Sequence, residues 1–85
     1  MKIINFRPME KGYLKGFFDV VIEDWGLTIS CSLFDKDGKK WVGLPNKEYL
    51  KDGVKKYQAL VKFEDAAHKR FQSKVIGMIE AGDYQ

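Results

Sequence analysis

The stretch Leu14-Lys15-Gly16-Phe17-Phe18-Asp19-Val20-Val21-Ile22 repeats with a period of two. Leu14, Gly16, Phe18, Val20 and Ile22 share one parity; Lys15, Phe17, Asp19 and Val21 share the other. Successive strand side chains point to opposite faces, so the pattern predicts a strand with one buried face and one wetter face. Downstream, Asp24-Trp25-Gly26 supplies a turn and the alternation resumes. Leu27, Ile29, Cys31 and Leu33 lie on one side, and Thr28, Ser30, Ser32 and Phe34 on the other.

Asp35-Lys36-Asp37-Gly38-Lys39 reads as a hairpin turn, because Asp-Gly accepts the positive φ that tight turns demand. Lys40-Trp41-Val42-Gly43-Leu44 is the third strand, halted by Pro45, which has no N–H for a ladder. Lys51-Asp52-Gly53 repeats the turn chemistry. Lys55 to Phe63 then predicts a strand with Tyr57, Ala59, Val61 and Phe63 opposite Lys56, Gln58, Leu60 and Lys62. Tyr57 shares the parity of Val61 and Phe63, which predicts core packing for it. Upstream, Ile3 to Phe6 adds a short leading strand.

Past Phe63 the period changes. Ala67, Phe71, Val75, Met78 and Ile79 recur at three- and four-residue steps. Glu64 or Asp65 can cap this helix, and Gly82 stops it. The expected architecture is α+β: an antiparallel sheet of four to five strands followed by one C-terminal helix packed on one face. Residues 1–85 form one small domain, with strands within about 3–63 and the helix at about 65–81. The helix should cover the Leu14/Phe18/Val20 and Ile29/Cys31/Leu33 face.

With 85 residues the core is modest, since a chain this short buries only about 60% of its unfolded surface. One cysteine permits no intrachain disulfide framework, and no apolar run approaches the roughly 20 residues of a membrane span. The opening Met1 to Pro8 lacks a signal-peptide apolar region, so a cytoplasmic location is expected. The net charge of +3 is unevenly placed: residues 36–62 hold eight lysines against Asp37, Glu48 and Asp52. Such a concentration suits a polyanion.

No catalytic set stands out. His68 is the only histidine, and a metal site would need more His or Cys ligands than His68 and an inward-facing Cys31. No nucleophile motif, phosphate loop or dinucleotide fingerprint occurs. The expectation is a non-enzymatic protein without cofactor, metal or small-molecule substrate. What remains is the polar sheet face. By strand parity it collects Lys15, Phe17, Thr28, Ser30, Ser32, Phe34, Lys40, Lys56, Gln58 and Lys62. Lys39, Trp41, Lys47 and Lys55 lie in the same lysine-rich block. Lysines would neutralise phosphates and aromatics would stack on unpaired bases.

Residues 20–82 resemble the stage V sporulation protein G family of small nucleic-acid-binding regulators. The likeness centres on Trp41-Val42-Gly43-Leu44-Pro45-Asn46-Lys47, followed by Asp52-Gly53, a strand and a helix. The chain departs by running Val61-Lys62-Phe63 directly into the helix, where that family commonly has a proline-containing joint. The element order is also similar to that of the positive cofactor 4 family, whose dimers bind single-stranded DNA across the sheet. Both resemblances imply a nucleic-acid-binding dimer.

These readings converge on a homodimer that binds nucleic acid, single-stranded DNA before RNA, on a basic, aromatic sheet face. The dimer is expected because one helix cannot cover both faces of the sheet and because open strand edges need protection. The competing readings are a protein-interaction module and a duplex-DNA-binding regulator.

Overall fold

The computed structural model describes all residues, 1–85. The first sheet contains β1 (Lys2–Lys11), β2 (Leu14–Ile22), β3 (Leu27–Lys36) and β4 (Lys39–Gly43), antiparallel and in that spatial order. A separate two-stranded ribbon pairs β5 (Asn46–Lys51) with β6 (Val54–Ala59). The chain ends in α1 (Asp65–Glu80). The class is α+β, with one helix against one face of the larger sheet.

The alternation is realised across the ladder. Phe18 pairs with Cys31 and Val20 with Ile29, so their side chains share a face. That face joins Ile3, Leu33 and Val42 to Phe71 and Val75 of α1 in one buried cluster. Phe18, Val20 and Val75 are fully buried. Burying each contributes about 1.5–3 kcal/mol relative to leaving it in water. Phe63 stacks on Phe71 at 4.7 Å between ring centroids and ties the helix start to the core.

Both Asp-Gly turns have the backbone their residues permit. Asp37 and Gly38 have φ of 54° and 89°; Asp52 and Gly53 have 54° and 75°. Two consecutive positive φ values identify the type I′ turns that match the twist of paired strands. The end of α1 is also as expected, with Gly82 at φ 72° just past the cap. At its start Glu64 occupies the cap position, but no side-chain cap bond forms.

Several expectations are corrected. The leading strand is ten residues long, not four, and carries a bulge between Ile4 and Arg7. Asn5 sits there at φ 56° and donates to Asp19 through its amide at 3.0 Å. The extra residue shifts the parity, so Phe6 turns to the core and Arg7 pairs with Phe17. A second irregularity between Leu14 and Gly16 pairs Leu14 with Phe34, which takes Leu14 off the core parity. The last strand stops at Ala59 and does not join the larger sheet. Tyr57 is accordingly 66% exposed, not core.

Each edge of the larger sheet is met at one place by the chain itself. On the β4 side, the Gln72 amide spans the Val42 backbone: Val42 N–H donates to Oε1 at 2.7 Å and Nε2 donates to the Val42 carbonyl at 2.8 Å. On the β1 side, Gln85 N–H donates to the Ile3 carbonyl and Phe6 N–H to the Gln85 carbonyl. Open edges therefore supply no argument for a dimer at these positions.

Candidate nucleic-acid interface

The face of the larger sheet opposite α1 has no layer over it. Register assigns its occupants, because directly paired residues share a face. Lys2, Ile4, Arg7 and Lys11 come from β1, and Leu14, Phe17, Asp19 and Val21 from β2. Thr28, Ser30, Ser32, Phe34 and Lys36 come from β3, and Lys39, Trp41 and Gly43 from β4. Five cations, Lys2, Arg7, Lys11, Lys36 and Lys39, thus accompany one carboxylate, Asp19, which accepts from Asn5.

Two aromatic positions stand on this face. Phe34 and Trp41 are cross-strand partners whose rings stack at 5.3 Å and 9°. Such a pair is worth roughly 0.5–1.5 kcal/mol beyond its buried area. The stack consumes one face of each ring, while Trp41 remains 37% exposed. On β2, half-buried Phe17 lies directly opposite Arg7. From Phe34 the hydroxyl row Ser32, Ser30 and Thr28 runs along β3, with Ser32 opposite Phe17 and the other two opposite Asp19 and Val21. At the hairpin end, Lys36 Nζ lies 5.4 Å from the centre of the Tyr13 ring.

The expected site residues separate into groups. Phe17, Phe34, Lys39 and Trp41 are on the open face together. Lys15 falls in the β2 irregularity, where its ammonium pairs with Glu10 at 3.0 Å and its charge is locally balanced. Lys40 is corrected to the helix side, because it pairs with Asp35 and shares the parity of Val42. Lys47, Lys55, Lys56 and Gln58 are not on the sheet: they belong to the β5–β6 ribbon. Lys62 is exposed in the link between that ribbon and α1.

Sequence reading missed Arg7, Lys2, Lys11 and Lys36. Asn5 was the available signal for Arg7, since an asparagine tolerates the left-handed conformation at which a strand bulges and changes parity. Lys36 was read as part of the turn.

The remaining reactive groups are occupied. Cys31 is buried and its thiol contacts the Ile29 carbonyl at 3.6 Å. Burial, with a smaller contribution from nearby Asp19, pushes its pKa from 9.0 up to about 12. His68 Nε2 lies 3.2 Å from Gln72 Nε2. An apolar groove of about 390 Å³, lined by Ile22, Phe63 and Phe71 among others, lies on the helix side, away from the open face. No helix is long and apolar enough to cross a membrane. The chain matches no protein-family model, no curated protein and no solved structure.

Proposed function

We propose that this chain is a non-enzymatic nucleic-acid-binding protein that holds a single strand, DNA before RNA, on the open sheet face. One observation carries the reading: the stacked Phe34–Trp41 pair and the Arg7–Phe17 pair meet at Ser32, the head of a row of three hydroxyls on one uncovered face. Exposed aromatic rings accept unstacked bases whatever their sequence. Lys2, Arg7, Lys36 and Lys39 supply phosphate contacts, and Thr28, Ser30 and Ser32 supply hydrogen bonds to sugar or phosphate. The resemblance to the stage V sporulation protein G and positive cofactor 4 families supports the same reading.

The homodimer belongs to this proposal. Leu50, Tyr57 and Leu60 are 71%, 66% and 59% exposed around the ribbon. A second copy would cover them. Sedimentation that shows only monomer at micromolar concentration would remove that part.

The test is fluorescence anisotropy with a labelled single-stranded oligonucleotide at several salt concentrations. Four phosphate contacts predict a slope of log affinity against log salt near −3, from about −0.7 per contact on a single strand. Absence of binding at low salt would turn the open face into a candidate protein contact.

A further inference from the structure

The β5–β6 ribbon pairs with nothing but itself, and every one of its residues is exposed. Its register divides it into two unlike faces. One face holds the pairs Lys47–Gln58, Tyr49–Lys56 and Lys51–Val54. The other holds Asn46–Ala59, Glu48–Tyr57 and Leu50–Lys55. The only charges on that second face neutralise each other, Lys55 Nζ lying 3.4 Å from Glu48 Oε1. All the unbalanced charge of the ribbon's paired residues is therefore on the first face, in Lys47, Lys51 and Lys56.

We infer that this face is a second nucleic-acid contact, distinct from the sheet face, and that its occupant is duplex DNA. The inference deepens the proposed function and rests on it for the single-stranded part of the ligand. The two surfaces differ in chemistry. The sheet face has several aromatics and a hydroxyl row, which suits splayed bases. The ribbon face has three unpaired point charges, a primary amide and one phenol, with no second ring for a neighbouring base. Those groups suit phosphates and base edges that remain stacked. A two-stranded ribbon also fits the major groove, which is about 12 Å wide. Lys47 and Lys51 are four residues apart on one strand, roughly 13 Å, so they reach separate phosphates rather than one.

Only Leu44 and Pro45 separate β4, with Trp41, from β5, with Lys47. The two surfaces are thus neighbours along the chain, and one nucleic acid would meet both where a duplex opens into a single strand. The preferred ligand is a duplex with a single-stranded tail.

The experiment compares three labelled probes: a single strand, a blunt duplex and a tailed duplex of matched sequence. Each is titrated by anisotropy with the full chain and with the triple variant Lys47→Gln, Lys51→Gln, Lys56→Gln. These positions are exposed, and an unchanged urea midpoint will show that the fold is kept. The wild type should bind the tailed duplex about tenfold or more tighter than either other probe. Three lost contacts at about −0.9 each should flatten the salt slope on duplex by two to three. The variant should bind the tailed duplex no better than the single strand, with single-strand affinity kept.

Equal affinity of variant and wild type for the tailed duplex overturns the inference and leaves the sheet-face reading intact. An equal loss on the single strand also overturns it, because the ribbon would then serve that ligand. A variant that loses self-association and no DNA affinity overturns it in favour of a protein contact. If the wild type binds duplex through these lysines but never a single strand, the ribbon contact stands and the sheet-face reading fails.

Discussion

The Phe34 ring lies where a side chain at Gly43 would begin: a Cβ built on Gly43 would stand 2.7 Å from Phe34 Cε2. Phe34 in turn stacks on Trp41. The small residue in Trp41-Val42-Gly43-Leu44-Pro45 is therefore what lets the aromatic pair lie flat across β4. Substituting Gly43→Ala should tilt or displace that pair, at a cost of about 1–3 kcal/mol if the strand is forced to move. Urea unfolding measures the cost. Trp41 emission, recorded in a Trp25→Phe background, reports the changed stack, and single-strand affinity should fall with it.

Gln72 predicts a different phenotype. Its amide makes two hydrogen bonds to the Val42 backbone and closes that part of the β4 edge. Gln72→Ala should destabilise the fold by about 1–3 kcal/mol, from two bonds at 0.5–1.5 each. It should also expose a strand edge, so self-association should rise with concentration in sedimentation. Gln72→Glu cannot donate to the Val42 carbonyl and should not restore the wild-type midpoint.

Cys31 links stability to pH. Its folded pKa, raised to about 12 from 9.0, means the folded state keeps the proton that the unfolded thiol loses. The contribution is complete below about pH 9 and is lost as pH rises toward 12. Within that window Cys31 should lower stability by up to about 1.4 kcal/mol per pH unit. Urea midpoints of wild type and Cys31→Ala, compared between pH 8 and pH 10.5, isolate the effect of this thiol. Parallel pH profiles would contradict it. In the same spirit, a thiol reagent at pH 8 should label Cys31 only when urea is added.

Most of the larger sheet was legible because its signals are local. Alternation from Leu14 to Phe34 assigns two strand faces, and each Asp-Gly pair accepts the turn backbone its position needs. The helix was legible from the spacing of Phe71, Val75 and Ile79. Parity reading failed where register slips. A bulge at Asn5 placed Arg7 on the open face and Phe6 in the core, and no alternation survives across it. The irregularity beside Lys15 similarly removed Leu14 from the core. The ribbon was the larger miss. Lys55 to Ala59 alternates like a core strand, but alternation alone does not say whether a neighbour exists. Pro45 interrupts the backbone after β4, and Gln72 already takes the Val42 N–H and carbonyl that a fifth strand would use. The lysine block was recognised correctly as a basic segment, yet its location on a separate arm depended on that tertiary arrangement.

Charge on the open face gives a further test. Arg7 lies opposite Phe17, and its carboxylate replacement should repel a phosphate without touching the core. Arg7→Glu should weaken single-strand binding and reduce the steepness of its salt dependence by about 0.7 or more. Lys40→Glu, on the helix side, should leave single-strand binding nearly unchanged. Anisotropy titrations of both variants at three salt concentrations make the comparison.

The most direct measurement is the affinity of wild type and Trp41→Ala for one labelled single-stranded DNA, at low and moderate salt. Loss of a stacked base should cost about 1–3 kcal/mol, or roughly 5- to 150-fold in Kd. The wild type should bind with a salt slope near −3, and Trp41→Ala should weaken it by that factor with the slope kept. Equal binding by both proteins, or no binding by the wild type at low salt, would contradict a single-strand site on the open sheet face.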